Sequence, residues 1–175
     1  MQTIIALDFE ASCLPCRGRS YPIEVGISDI RGHSQSWLIR PVGAWRTWTW
    51  TEEAEGLHGI ARDQLEAEGQ PPATVLSELA AACAGARVIA DSVLDADWLA
   101  TLAAATGRVA PFSIDHAAVL LEEIGATVEQ IGQAEAIISA LRFRRHRAGP
   151  DARYLGMLIG EVGRTLRAER PLFDW

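Results

Sequence analysis

TIIALDFE, residues 3–10, is an apolar run that ends with two carboxylates one residue apart. Its β-branched and aliphatic residues scarcely alternate with polar ones, which is typical of a strand buried on both faces at the centre of a sheet. On such a strand Asp8 and Glu10 project from the same face, while Phe9 points to the other. Carboxylates this close repel each other and lose solvation, so protons or cations must neutralise them.

The rest of the chain predicts an α/β domain around this strand. YPIEVGISDI (21–30) and HSQSWLIRP (33–41) predict two strands joined by a hairpin at Arg31 and Gly32. Three leading strands followed by alternating strands and helices favour a mixed five-stranded sheet with the first strand central, flanked by helices. The other predicted strands are ARVIA (86–90) and PFSID (111–115); the predicted helices cover parts of 51–84, about 91–105, 115–125, 127–142 and the region from Pro150 onward.

Length and composition fit one globular domain. The 175 residues, of which 49% are hydrophobic and 22% charged, are enough for a sizeable core, so we expect a single domain over 1–175 with 166–175 as a C-terminal tail. No apolar run reaches 18 residues and no signal peptide is evident, so we expect no membrane association. Three cysteines, including the CLPC pair Cys13 and Cys16, are too few for a secreted disulfide framework and favour a cytoplasmic protein.

The charge balance restricts the mode of nucleic-acid binding. The net charge is −7, and non-specific affinity for nucleic acids depends on basic side chains that replace condensed counterions. A generic nucleic-acid coat protein is therefore excluded, and any phosphate binding must be local.

A third carboxylate is predicted to face the core in DSVLDADWL (91–99). Asp95 shares a helical face with Leu99 and Leu102, which is the inward side of an amphipathic helix. Asp91 or Ser92 can cap the helix, so Asp91 is better explained as a cap, and Asp97 falls on a different face. We therefore select Asp95 as the functional residue of this segment.

RRHRAGPDARYLGMLIG (144–160) adds a histidine and a fourth carboxylate. Pro150 suits the first turn of a helix, which places Asp151 in that turn and His146 on the preceding loop, so that both can face one site. A carboxylate that complements the helix dipole and an unrelated surface histidine would give the same pattern.

The order of these residues resembles the DEDDh 3′→5′ exonucleases of the RNase H-like superfamily, whose members include RNase T and the DNA polymerase III proofreading subunit. DFE matches the first motif, DSVLDADWL the second and HRAGPD the HxAxxD third motif, while GLHGIARDQL (56–65) is similar to the family's HGI segment. Many members have Asn at the position of Asp91, and many continue the first motif differently from Ala11-Ser12-Cys13. DFEASC is close to the DFEATC of the 3′ histone-mRNA exonucleases, which favours RNA over DNA.

The resemblance implies a metal-dependent exonuclease that releases nucleoside 5′-monophosphates from the 3′ ends of single-stranded RNA or DNA. It implies that Asp8 bridges two Mg²⁺ ions, that Glu10 and Asp151 complete the first site, and that Asp95 holds the second. Mn²⁺ is expected to substitute for Mg²⁺. His146 would be the general base, because a neutral imidazole can accept a proton near pH 7. Several relatives act as homodimers, so a homodimer is an allowed state of assembly.

Three further residues are expected to bind substrate: Ser12 at the terminal sugar, His58 near the scissile bond and Arg145 at a phosphate. Each has a structural alternative, as a loop serine, a core histidine and a solvated helix-end arginine. The tryptophans of AWRTWTW (44–50) either stack on unpaired bases or pack at the sheet edge or a dimer contact.

Two competing functions keep the same fold. One is a non-catalytic module that binds nucleic acid or protein, which has no need for a general base and four convergent carboxylates. The other is an endonuclease of the RNase H type, against which the spacing of His146 and Asp151 argues.

Overall fold

The protein is built on one five-stranded mixed sheet. A computed structural model describes residues 3–169. The strands are β1 (Ile4–Ala11), β2 (Pro22–Asp29), β3 (Ser34–Leu38), β4 (Arg87–Ala90) and β5 (Ile114–His116). Their spatial order is β3-β2-β1-β4-β5, with the first three antiparallel and β1, β4 and β5 mutually parallel. The predicted α/β sheet with a central first strand is confirmed.

Seven helices cover the sheet. They are α1 (Glu52–His58), α2 (Arg62–Glu68), α3 (Pro72–Ala82), α4 (Leu94–Ala104), α5 (Ala117–Glu123), α6 (Val128–Ser139) and α7 (Ala148–Glu169). Local signals set several boundaries: Thr51 caps α1 by accepting from Ala54 N–H, and α6 begins with a capping box between Thr127 and Gln130.

Strand β1 is packed on both faces, as its unbroken apolar pattern predicts. Leu7 and Phe9 belong to the larger core cluster, which lies against α3 and α4. Ala6, on the opposite face, packs with Leu155 and Ile159 of α7. Because side chains alternate along a strand, Asp8 and Glu10 share the face of Ala6 and are directed toward α7.

Glycines allow α7 to lie directly on the sheet. A Cβ atom at Gly26 of β2 would collide with the backbone of Ala148 and Gly149, at the start of α7. Gly156 and Gly160 of α7 approach the backbone carbonyls of Asp29 and Ile30 in the same way. This close contact fixes the first turn of α7 against the strand that neighbours β1.

Two predicted boundaries need correction. Residues 166–169, predicted to belong to a tail, continue α7. Leu166 is fully buried because it packs against α5 and α6. Residues 170–175 of the predicted tail lie outside the described part of the chain. Asp91 does not cap α4: the N-cap position is Val93, and the hydroxyl of Ser92 accepts from Leu94 N–H instead. None of the helices described within residues 3–169 combines the length and the hydropathy needed to cross a bilayer.

Candidate metal centre and substrate groove

The carboxylates of three distant segments meet at the carboxyl end of β1. Two groups of carboxylates each bring one oxygen per residue to within 4.8 Å of the others. The first group is Asp8, Glu10 and Asp151, and the second is Asp8, Asp91 and Asp95. Asp8 therefore belongs to both groups, which we call the first trio (Asp8, Glu10, Asp151) and the second trio (Asp8, Asp91, Asp95). Four of the five residues were predicted from the sequence, and Asp91 was missed because it was interpreted as a cap.

Asp95 is held in place by β1, the strand that carries Asp8 and Glu10. It lies in the first turn of α4 and is 1% exposed, on the inward face with Leu99 and Leu102 as predicted. Its Oδ1 accepts from the backbone N–H of Phe9 at 3.0 Å, whereas its Oδ2 is buried and has no hydrogen-bond partner. A buried carboxylate oxygen without a partner is costly, so this atom calls for a ligand.

The accumulation of negative charge changes the protonation of the site. Burial raises the pKa of Asp8 well above its ordinary value, and the charges of Asp95, Glu10 and Asp151 raise it further. Burial, followed by the charges of Asp151 and Glu24, raises the pKa of Glu10 to about 8. Burial also raises the pKa of Asp95 to about 7. These pKa shifts all show that the folded protein disfavours the charged carboxylates, and a bound cation would favour them.

The donor set suits hard divalent cations. Mg²⁺ and Mn²⁺ prefer carboxylate oxygens, and a residue shared between two groups of oxygens is the arrangement expected for a two-metal site. The buried Oδ2 of Asp95 has no hydrogen-bond partner, and such a cation would bind to it. The residues present therefore fit the two metal ions that the sequence implied.

His146 lies on the loop before α7, as predicted, at the mouth of the site. It is exposed, and its φ of 60° falls in the left-handed region, which residues other than glycine adopt only rarely. Its backbone N–H donates to Asp151 Oδ2 at 2.7 Å. This bond ties the loop to the first trio.

A buried ion pair anchors the same loop to the sheet. Glu24 of β2, 1% exposed, accepts from Nε and Nη2 of Arg147 at 2.8 and 2.7 Å and from the backbone N–H of Ala148 at 3.0 Å. Since β2 pairs directly with β1, the pair holds His146 and Asp151 in register with Asp8 and Glu10. Both Nε and Nη2 of Arg147 are therefore occupied by this ion pair.

Beside the first trio is a groove of about 210 Å³. It is lined by Phe9, Glu10, Ala11, Cys13, Leu14, Ala54, Leu57, His58, Trp98 and His146. Its walls are largely apolar, and Leu14 and Leu57 remain 55% and 57% exposed at its rim. The groove thus joins apolar walls to Glu10 and His146, and a ligand bound there would lie beside the carboxylates.

Solved exonuclease structures match this architecture. No family model matches the chain, and no curated protein matches it significantly in sequence. E. coli exonuclease I in complex with a dA16 oligonucleotide has a TM-score of 0.69 at 11% identity, over 97% of this chain and 42% of that one. The chain therefore shares the RNase H-like fold of this structure.

Two other structures with this RNase H-like fold show how much of each chain is shared. Exonuclease I from Methylocaldum szegediense matches with a TM-score of 0.58 at 13% identity, over 98% of this chain and 42% of that one. A 3′-exonuclease that recognises the histone mRNA stem-loop matches with a TM-score of 0.62 at 13% identity, over 97% and 83%. This chain thus spans about two fifths of the exonuclease I chains and most of the 3′-exonuclease.

The three residues predicted to bind substrate have different surroundings in the structure. His58 lines the groove; its Nδ1 accepts from Ile60 N–H at 3.0 Å, its Nε2 is buried without a partner, and burial lowers its pKa to about 4. Ser12 is fully buried and its Oγ accepts from Tyr21 N–H, so contact with the terminal sugar, which stays a prediction, would require the loop to open. The hydroxyl is used to join the ends of the loop between β1 and β2.

Arg145 contacts the metal centre instead of the groove. Its Nε lies 2.7 Å from Asp151 Oδ1, an ion pair without the alignment of a hydrogen bond, and its guanidinium stacks on the ring of Tyr154. In this arrangement Arg145 neutralises a carboxylate of the first trio, so its predicted role at a substrate phosphate requires it to move away from Asp151.

The tryptophans of residues 44–50 are mainly structural. Trp45 is 2% exposed and stacks on Tyr21 with ring centroids 5.4 Å apart. Trp50 donates from Nε1 to Glu55 at 2.6 Å and packs against the edge of His58. For Trp45 the packing alternative is therefore the one observed, and Trp50 acts indirectly by supporting the wall of the groove.

Proposed function

We propose that this protein is a metal-dependent 3′→5′ exonuclease that removes nucleoside 5′-monophosphates from single-stranded nucleic acid, with RNA preferred to DNA. The observation that carries the proposal is the sharing of Asp8 between two carboxylate trios, next to a groove that also exposes His146. A groove lined on one side by apolar residues and on the other by carboxylates suits the last nucleoside of a strand and its scissile phosphate.

The chemistry divides between bound cations and side chains. Two divalent cations, held by the first trio and by Asp8 with Asp95, would lower the pKa of a bound water and stabilise the attacking and leaving oxygens. His146 would accept the proton of the attacking water, and its place in the lining of the groove together with Glu10 supports this role. Leu14 and Leu57 would hold the terminal base by apolar contact, and the Nε2 of His58 would donate to the strand.

The preference for RNA rests on sequence and fold together. The DFEASC motif resembles that of the 3′ histone-mRNA exonucleases, and the structure that recognises the histone mRNA stem-loop shares most of its length with this chain. The acidic net charge favours short single strands and frayed ends over long duplexes. We further propose a cytoplasmic location, which fits the three free cysteines. Light scattering after gel filtration would test the homodimer that the resemblance allows.

The test is degradation of matched 5′-labelled single-stranded RNA and DNA with Mg²⁺ or Mn²⁺. Asp8→Asn and His146→Ala should abolish a ladder that shortens from the 3′ end. Two matched controls should retain it: Asp97→Asn, an exposed aspartate outside both trios, and His33→Ala, an exposed histidine of the hairpin. A faster RNA ladder would support the substrate preference.

Other outcomes would contradict the proposal in distinct ways. Cleavage of a circular strand or of a strand with a blocked 3′ end would favour an endonuclease. Oligonucleotide binding without cleavage, unchanged by Asp8→Asn, would favour a non-catalytic binding module.

A further inference from the structure

Asp91 lies beside Asp8 because of the strand register. Strands β1 and β4 are parallel, with Ile4 opposite Arg87 and Ala6 opposite Ile89. Continuing that register by two residues brings Asp91, the residue that follows β4, opposite Asp8. Neighbouring strands lie about 4.8 Å apart, so two aspartates in this relation are held close by the backbone itself.

No protein group compensates for the charge of Asp91. Within residues 3–169, its carboxylate takes part in no salt bridge and no side-chain hydrogen bond, and the cap of α4 is supplied by Ser92. An exposed aspartate without a partner is ordinary on a surface. Here, however, it faces two further carboxylates, and like charges in such proximity are unfavourable unless a cation binds between them.

A second observation points to a ligand at the same place. Asp95 Oδ1 accepts from Phe9 N–H, and its Oδ2 is buried without a hydrogen-bond partner. One carboxylate oxygen of Asp95 lies within 4.8 Å of oxygens of Asp8 and Asp91. A cation bound between Asp95 and Asp91 would give the buried oxygen a partner and would offset the charge of Asp91.

We propose that Asp91 is a third carboxylate ligand of the second cation site, in addition to Asp8 and Asp95. This inference rests on the proposed function, since it concerns the metal centre of the same reaction. An additional anionic ligand makes the second site a tighter one, so the protein retains its second cation at lower concentrations of free metal. Asp91 thereby sets the concentration of free metal ion at which the second site is filled.

The experiment measures the binding of Mn²⁺ alone, by isothermal titration calorimetry and by the electron paramagnetic resonance signal of free Mn²⁺. The proteins are the wild type, Asp91→Asn and the matched control Asp97→Asn. Each is titrated twice, once alone and once with 5′-AMP, a product of the proposed reaction. Asp91 is exposed, so its amide should not disturb folding, which circular dichroism would verify.

We expect the wild type and Asp97→Asn to bind two Mn²⁺ ions, and Asp91→Asn to lose affinity at one of the two sites by about tenfold or more. The Mn²⁺ concentration for half-maximal hydrolysis should rise in the same variant. Equal affinities in Asp91→Asn and the wild type, or a wild type that binds fewer than two ions even with 5′-AMP, would overturn the inference.

Measurement of hydrolysis separates the two proposals. Normal 3′→5′ degradation with unchanged Mn²⁺ affinity in Asp91→Asn would leave the exonuclease intact and refute the role of Asp91. Loss of one Mn²⁺ site in Asp91→Asn from a wild type that hydrolyses nothing would support the metal site and refute the exonuclease.

Discussion

Replacing Glu10 with glutamine should stabilise the metal-free protein while it removes a metal ligand. Glu10 lies on β1 among other carboxylates, and burial together with the charges of Asp151 and Glu24 raises its pKa from 4.5 to about 8. A neutral amide of the same size removes the charge that the folded state disfavours. The substitution thus exposes the energetic cost of assembling the site without cations.

The magnitude and its pH dependence follow from this pKa. Below pH 4.5 Glu10 is protonated in both the folded and the unfolded state and costs nothing; as the pH rises toward about 8, only the unfolded state ionises, so the folded state loses stability. At about 1.4 kcal/mol per pKa unit, the cost is about 3 kcal/mol at pH 7. Glu10→Gln should recover most of this at pH 7 and almost none at pH 4.5.

The assay is urea denaturation in the presence of a chelator at pH 4.5 and pH 7, followed by circular dichroism. Glu122→Gln is the matched control, because Glu122 is exposed on α5 and makes no salt bridge among residues 3–169. Saturating Mg²⁺ should stabilise the wild type more than Glu10→Gln, since the variant lacks a ligand. An equal gain for Glu10→Gln at both pH values, or no gain at pH 7, would refute the reasoning.

Two further substitutions test the anchoring of the catalytic loop. Glu24→Gln leaves the Arg147 guanidinium without its buried partner and should lower the free energy of unfolding by about 2–4 kcal/mol, with a parallel loss of hydrolysis. The control Glu66→Gln removes an exposed ion pair and should lower it by less than about 1 kcal/mol. Equal losses for the two variants in urea denaturation would contradict this interpretation. Gly26→Ala drives a methyl group into the backbone of Ala148 and should cost about 1–3 kcal/mol or more. A Gly26→Ala protein with unchanged stability and activity would show that α7 can shift without consequence for the site.

Some features of the site follow from local sequence alone. The apolar run around Asp8 and Glu10 implies a central strand, and strand alternation then requires both carboxylates to share a face. Helical periodicity likewise directs Asp95 inward with Leu99 and Leu102, where the structure has all three buried. These predictions succeed because they depend on residues only a few positions apart.

Other features depend on contacts between distant segments. The clamp between Glu24 and Arg147 joins residues 123 positions apart, and no local pattern distinguishes Arg147 from the arginines beside it. Ser12 resembled a substrate ligand, yet its hydroxyl turns inward because Tyr21 N–H needs an acceptor. In each case a long-range partner decides what a polar side chain does.

Asp91 shows most clearly where sequence reasoning stops. Its position before a helix predicted a cap, and that assignment was reasonable for an aspartate in this place. The sequence by itself determined the strands, the inward face of α4 and the chemical type of the site's residues, because these follow from periodicity and side-chain chemistry. Only the tertiary structure decided that Asp91 faces Asp8, because the parallel pairing of β1 and β4 is a register between segments more than eighty residues apart, which no local pattern encodes.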